Sequence, residues 1–201
     1  VVTAEVQADD GERFSDQITY LAEGPEDLPA VEKIAADADQ LVQNLARAVA
    51  APVLKHYLGP VLFDGVAAPQ LFQALLARGA AGRPDPVGGG RRRFASADSL
   101  DAHLGKRILP KSMQAFDDPR VAEVGGILLA GHYAYDDEGV APKRVDLVVD
   151  GVLKNLVMSR TPTKEFQGTT GHGRRAGRAG RAQATVGCLQ IEAKDGRSAD
   201  E

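Results

Sequence analysis

The sequence lacks tryptophan, contains a single cysteine, and has no long hydrophobic run. The lone Cys188 cannot form a disulfide within the chain, which excludes a disulfide-stapled scaffold and favours a reducing compartment such as the cytoplasm. The longest strongly apolar stretch, residues 125–131, is far shorter than the ~18 residues of a membrane-spanning helix. The composition, 43% hydrophobic and 26% charged in 201 residues, is typical of a globular protein that can bury a core.

The usual motifs of metal-dependent and nucleophilic hydrolases are also missing. The sequence contains no HExxH, HExxxH, paired CxxC, GxSxG or P-loop. Its four histidines are His56, His103, His132 and His172, and no two of them have the spacing of metal ligands on a helix. The motifs therefore predict no catalytic residue, no metal ligand and no cofactor in this chain.

Hydrophobic patterning predicts an α+β fold, with an N-terminal hairpin and two helices followed by a mainly antiparallel β-rich region. Residues 1–80 would hold the hairpin, turning at Asp10-Gly11, and the helices. Residues 81–107 are rich in Gly, Pro and Arg and predict a loop, and residues 108–201 are β-rich. The strongest local signal is Asp150-Gly151 between two β-branched runs, which predicts a type I′ hairpin.

Within the first segment, apolar residues at three- and four-residue spacing predict a helix over 29–53. Asp27 is the expected N-cap of this helix. A second helix is predicted over 67–78, with Leu75 among its inward-facing residues. Residues 61–63 between the two helices predict a short buried strand.

Two polar segments contain the side chains most suited to contact a ligand. The first, residues 131–140, contains His132, Asp136, Asp137 and Glu138. Consecutive carboxylates beside a histidine can bind a metal, contact a substrate or form a turn through hydrogen bonds to local backbone N–H groups. Adjacent strand residues point to opposite faces, so at most two of the carboxylates could converge. All three interpretations stay open at this point.

The second polar segment, residues 169–175, contains His172 and Arg174 among glycines. A glycine loop with arginine can hold an anion such as a peptide carboxylate or a phosphate. Residues 168–181 are predicted to form an exposed loop. Cys188, in an apolar strand-like run with no His or Lys beside it, is predicted to be a small core residue.

Three stretches, read in order, resemble the TldD/PmbA family, a metallopeptidase-class family also described as modulators of DNA gyrase. They are residues 59–63 with Ala67-Ala68, residues 136–140 with Arg144 and the 150–154 hairpin, and residues 170–174. The resemblance covers most of residues 50–190. It implies that the chain is the middle region and the start of the C-terminal β-rich domain. The family's N-terminal α/β domain and C-terminal end would then lie outside it.

The resemblance also implies a role, because the sequence departs from one branch of the family. TldD-type members carry HExxxH after the short strand, where both histidines and a later cysteine bind zinc and the glutamate activates water for peptide hydrolysis. Here residues 63–72 contain no histidine and one acid, Asp64. The chain thus resembles the PmbA (TldE-like) branch, which pairs with a TldD-type subunit to cleave unfolded or modified peptides. It would contact peptide, form a dimer with that subunit or a second copy, and bind no zinc itself. The peptide-contacting candidates are His132, Asp136, Asp137, Glu138, His172 and Arg174.

Two other hypotheses remain. One is an active metallopeptidase with unfamiliar ligands such as His132, Asp136 and His172. The other is a nucleic-acid binder that uses the basic clusters at 91–93 and 174–181, although the net charge of −4 and the lack of interleaved aromatics argue against it. A sheet cut before its last strands exposes an unpaired edge, so we also expect the isolated chain to be marginally stable or to self-associate.

Overall fold

The computed structural model describes residues 1–82, 99–163, 166–177 and 180–196 of the chain. They belong to two compact units, Val1–Val61 and Leu62–Glu201. The arginines at 91–93 and most of the predicted loop at 81–107 lie outside the described residues. Helices and antiparallel strands occur together, which confirms the predicted α+β class. None of the helices in the described ranges has both the length and the hydrophobicity needed to cross a membrane.

The first unit is a β-hairpin packed against one helix. Strand β1 (Val2–Gln7) pairs antiparallel with β2 (Arg13–Ile18), in a register that places Val6 opposite Phe14. The connecting turn contains Gly11 at a φ of 91°, a conformation that glycine adopts without a steric penalty. The predicted hairpin is confirmed.

Helix α1 (Val31–Ala50) is amphipathic, and Leu41 and Leu45, one turn apart, are its buried residues. It is shorter than the predicted 29–53. At the C-terminal end the cause is Pro52, because a residue before proline is pushed out of the helical region, and Ala51 is extended with a ψ of 144°. At the N-terminal end, Ala30 has a ψ of 150° and lies outside the helix. The N-cap is Ala30, so the prediction for Asp27 is wrong. That residue ends a separate 3-10 turn, where its carboxylate accepts a hydrogen bond from Gly24 N at 3.2 Å.

The strand predicted at 61–63 is not formed. Val61, Leu62 and Phe63 have irregular backbone, and their exposed fractions are 63%, 87% and 47%. A strand needs a neighbouring strand for its backbone hydrogen bonds, and none of the strand pairings in the described residues includes this segment. An apolar run of three residues is therefore not sufficient to predict a strand.

The second unit is built on a four-stranded antiparallel sheet that consists of β3 (Met113–Asp117), β6 (Val145–Val149), β7 (Val152–Leu153) and β10 (Leu189–Ala193). The strand order is β10-β3-β6-β7. Between β6 and β7, Asp150 and Gly151 have φ values of 49° and 76°, which confirms the predicted type I′ turn.

Helix α2 (Ala67–Phe72) continues into a π-helical turn, Gln73–Ala77. Leu76 is 3% exposed and joins the core, whereas Leu75 is 54% exposed, so the prediction that Leu75 faces inward is wrong. The wider π turn shifts the buried side of the helix by about one residue. The core that Leu76 joins lies mainly on the central strands and the segment after them: Ala115, Val145, Leu147, Val148, Leu153, Leu156 and Val157.

Two short hairpins complete the described part of this unit. Strand β4 (Glu123–Val124) pairs with β5 (Ile127–Leu128), and β8 (Gly173–Arg175) pairs with β9 (Ala182–Ala184). The interpretation of 168–181 as an exposed loop is wrong in its first half, where residues 171–173 are buried. Their glycines permit close packing rather than mobility, because a Cβ on Gly173 would collide with the carboxylate of Glu138.

Candidate functional site

The two polar segments meet in the second unit, where β8 lies beside the 136–140 loop. Asp137 N donates a hydrogen bond to Gly173 O at 2.9 Å. In return, Gly173 N donates to Asp136 Oδ2 at 2.8 Å. Segments that are distant in sequence thus form one hydrogen-bonded surface, which we call the loop–strand site (residues 136–140 and 171–175).

Asp136 is the buried anchor of this site, with 5% of its surface exposed. Its Oδ1 accepts hydrogen bonds from Glu138 N at 3.0 Å and Val140 N at 2.8 Å, and Oδ2 accepts the bond from Gly173 N. Of the three interpretations left open by the sequence, this geometry is that of a turn in which the Asp side chain binds backbone N–H groups. The carboxylate holds the site together and has little capacity left for a ligand.

Asp137 and Glu138 hold the backbone of two arginines. Asp137 Oδ2 accepts a hydrogen bond from Arg175 N at 2.7 Å and lies 3.4 Å from Arg174 Nε. Glu138 Oε2 accepts a hydrogen bond from Arg160 N at 2.6 Å. Glu138 passes over Gly173 to reach that N–H, so a Cβ at residue 173 would displace the Glu138 carboxylate from this position.

Arg174 is half-buried against an aromatic ring. Its guanidinium carbon lies 4.4 Å from the centroid of the Tyr133 ring, a cation–π arrangement. The Tyr133 hydroxyl donates a hydrogen bond to Gly171 O at 2.9 Å. Burial raises the pKa of Tyr133 well above its usual value, so the hydroxyl stays protonated and remains a donor.

His172 is fully buried beneath the site, with 0% of its surface exposed. Its Nε2 lies 2.8 Å from Asp117 Oδ2, and its Nδ1 lies 2.8 Å from Thr170 Oγ1 and 3.0 Å from Thr170 O. Asp117 Oδ2 also accepts a hydrogen bond from Gly187 N at 3.0 Å. Both ring nitrogens are therefore engaged, and the ring links β8 to β3.

His132 differs from the other five candidate residues. It is exposed, in a turn closed by a hydrogen bond from His132 N to Leu129 O at 3.1 Å. In the part of the chain that the structure describes, its ring makes no hydrogen bond. The structure therefore links Asp136, Asp137, Glu138 and Arg174 directly, buries His172 beneath them, and leaves the His132 side chain outside this network.

An open cleft of about 550 Å³ adjoins the loop–strand site. Its charged lining consists of Asp137, Glu138, Arg160, Arg175 and Arg181, with Thr161 beside them. Sequence reasoning missed Arg160 and Asp117, because neither belongs to a motif and each reaches the site only through a contact between distant segments.

The side chains of the described residues do not fit a zinc site. No group of three His, Cys, Asp or Glu side chains among them is arranged to hold a metal ion. Both nitrogens of His172 have partners. Cys188 is buried, and this burial, reinforced by the negative charge of Asp117, raises the pKa of its thiol to about 11, whereas zinc binds the thiolate.

Comparison with known proteins identifies relatives that are longer than this chain. A family described as "PmbA/TldA metallopeptidase C-terminal domain" matches residues 56–201. A protein from Archaeoglobus fulgidus named "Metalloprotease" is 33% identical over 81 residues, which is 40% of this chain and 18% of that protein.

Two solved structures are also similar. A candidate modulator of a DNA gyrase from Thermotoga maritima has a TM-score of 0.55 at 18% identity, over 94% of this chain and 39% of that one. TldE from Thermococcus kodakarensis has a TM-score of 0.46 at 20% identity, over 78% and 34% of the two chains. The Thermotoga likeness shows a shared fold. This chain spans less than two-fifths of the length of each of these relatives.

Proposed function

Because this chain belongs to the TldD/PmbA family of metallopeptidases, we propose that it is the subunit without metal in a cytoplasmic peptidase complex that acts on unfolded or modified peptides. In this complex the chain contributes to a peptide-binding chamber. A TldD-type partner supplies the zinc and carries out the hydrolysis.

One observation carries the proposal. Residues 63–72, which occupy the place of the HExxxH helix of TldD-type members, contain no imidazole. They include α2 (Ala67–Phe72), whose side chains are apolar apart from Gln70. A helix of this composition cannot supply the nitrogen ligands or the glutamate base of a zinc peptidase.

The loop–strand site supports a binding role rather than a chemical one. Each of its carboxylates accepts a hydrogen bond from a backbone N–H group, and Asp136 accepts three. This geometry gives the carboxylates a role in fixing the backbone of the site. The hypothesis of unfamiliar metal ligands would require His172 to leave Asp117 and Thr170. The buried carboxylate of Asp117 would then lose its histidine partner.

Metal analysis of the complete protein tests the proposal. Purified alone, it should contain well under one zinc per chain by mass spectrometry and should not cleave a denatured protein substrate. Addition of a TldD-type partner carrying HExxxH should restore cleavage, and the partner with Glu→Gln in that motif is the matched control. Stoichiometric zinc together with peptidase activity in the absence of any partner would refute the proposal.

A further inference from the structure

We propose that the cleft lined by Arg160, Arg175 and Arg181 is a subsite that binds a carboxylate of the peptide. In this subsite Asp137 and Glu138 act as positioning residues for the arginines. The inference rests on the proposed peptide-binding function. It adds that this site recognises a negatively charged group of the substrate.

The two acidic side chains of the cleft are already committed to the backbone. Asp137 Oδ2 accepts a hydrogen bond from Arg175 N at 2.7 Å, and Glu138 Oε2 accepts one from Arg160 N at 2.6 Å. Each acid thus fixes the main chain of an arginine whose side chain lines the cleft. Such charge-assisted bonds hold two like-charged residues at one cleft in spite of their mutual repulsion.

The three arginines of the cleft are exposed and therefore accessible to an anionic ligand. The ion pairs within the described ranges include none formed by Arg160, Arg175 or Arg181. Among the described residues of the lining, two carboxylates and three guanidiniums give a charge of +1, although the whole chain has a net charge of −4. The excess of positive charge in this one place points to an anionic ligand.

The lining favours a peptide carboxylate over a nucleic acid. A guanidinium binds a carboxylate through two parallel N–H···O bonds, and Thr161 lines the cleft beside the arginines. None of the described lining residues is aromatic, so the cleft offers no surface on which bases could stack. The carboxylate can come from the C-terminus of the peptide or from an acidic side chain.

Fluorescence anisotropy with four short labelled peptides tests the inference on the complete protein bound to its partner, with a chelator present to prevent hydrolysis. Two peptides of neutral sequence differ only in a free or amidated C-terminus, and two amidated peptides differ only in one internal Glu or Gln. We expect the carboxylate member of at least one pair to bind roughly tenfold more tightly. The pair that shows the preference identifies the source of the carboxylate.

Variants of Arg181 assign the preference to this cleft. Arg181→Gln should make the affinities for the carboxylate peptide and its neutral counterpart nearly equal, and Arg181→Glu should reverse the preference. The affinity for the neutral amidated peptide should change little in both variants. Arg13→Gln, at an exposed arginine of the first unit, should leave the preference unchanged. Thermal unfolding verifies that each variant is folded, and a folded Arg181→Glu variant that keeps the wild-type preference would overturn the inference.

The remaining outcomes separate the two proposals. If all four peptides bind with equal affinity, the carboxylate subsite is wrong and the peptide-binding function stands. If no peptide binds, both the peptide-binding function and the carboxylate subsite are wrong. If a single-stranded oligonucleotide displaces the peptides and its affinity falls steeply with salt, the cleft is a nucleic-acid contact and the inference is overturned.

Discussion

The apolar segment at 53–63 and the loop–strand site are opposites in both sequence and burial. The first has exposed hydrophobic side chains, among them Leu58 at 93% and Leu62 at 87%. The second is polar and glycine-rich, yet Asp136 and His172 in it are 5% and 0% exposed. Hydrophobicity alone therefore does not determine which segment of this chain is buried.

The difference lies in the available partners. The buried oxygens of Asp136 receive three backbone N–H groups, which offset the cost of removing the carboxylate from water. In the described residues the apolar segment pairs with no strand. The comparison predicts that substitutions of polar residues in the loop–strand site lower the free energy of unfolding strongly. Substitutions in the apolar segment of this chain should change it very little.

The largest effect is expected for His172→Ala. It opens a cavity at a fully buried side chain and leaves the Asp117 carboxylate with a single backbone N–H, so the free energy of unfolding should fall by about 3–5 kcal/mol. Urea denaturation measures this change. His132→Ala is the control, since its exposed side chain should contribute less than about 0.5 kcal/mol. Similar losses in the two variants would contradict the structural role of His172.

A somewhat smaller effect is expected for Gly171→Ala. Gly171 has a φ of 73°, and a Cβ there would lie 2.5 Å from Ala141 O. Backbone strain and overpacking together should lower the free energy of unfolding by about 3 kcal/mol.

Gly139→Ala separates these two contributions. Gly139 has a similar φ of 77° but nothing within 4 Å of the added Cβ, so its loss should be about 1–2 kcal/mol from backbone strain alone. Equal thermal shifts in the two variants would show that the close approach at Gly171 does not matter.

Asp136→Asn sharpens the comparison within the loop. The amide keeps one acceptor oxygen but replaces the other by an NH₂ group, which faces an N–H donor from either Gly173 or the turn. We expect a loss of about 1–3 kcal/mol, the cost of an unsatisfied buried donor. Hydrogen exchange should show faster exchange of the Gly173 amide, and unchanged protection there would exclude the proposed anchor.

The smallest effect is expected for Leu62→Ser, which should change the free energy of unfolding of the isolated 201-residue chain by less than about 0.5 kcal/mol. The side chain is already in water, so no burial is lost. Leu76→Ser, at a residue that is 3% exposed, is the matched control and should cost several kcal/mol. A large loss for Leu62 would mean that the segment is buried in solution.

The elements that the sequence predicted well depend on local signals. The 150–151 turn follows from the positive φ that Asp-Gly tolerates, and α1 follows from apolar residues one turn apart. The C-terminal end of α1 was misplaced because Pro52 acts on the residue before it. The buried side of α2 was misjudged by one residue, because periodicity does not reveal a π-helical turn.

The site was only partly predictable. Local composition identified Asp136 and His172 as notable, but their partners Gly173 and Asp117 are set by contacts between segments that are far apart in the chain. Arg160 enters the site only because Glu138 reaches across Gly173 to its backbone N–H. No periodicity or motif encodes such a contact, since it depends on how the loop and β8 pack.

The bonds between Asp136 and both segments have a consequence for affinity. A loop held by three N–H groups is already ordered before any ligand arrives. A bound peptide would then lose its own conformational freedom but would impose little additional ordering on the protein. This preorganisation reduces the entropic penalty of association, which favours the capture of short, flexible chains that make few contacts.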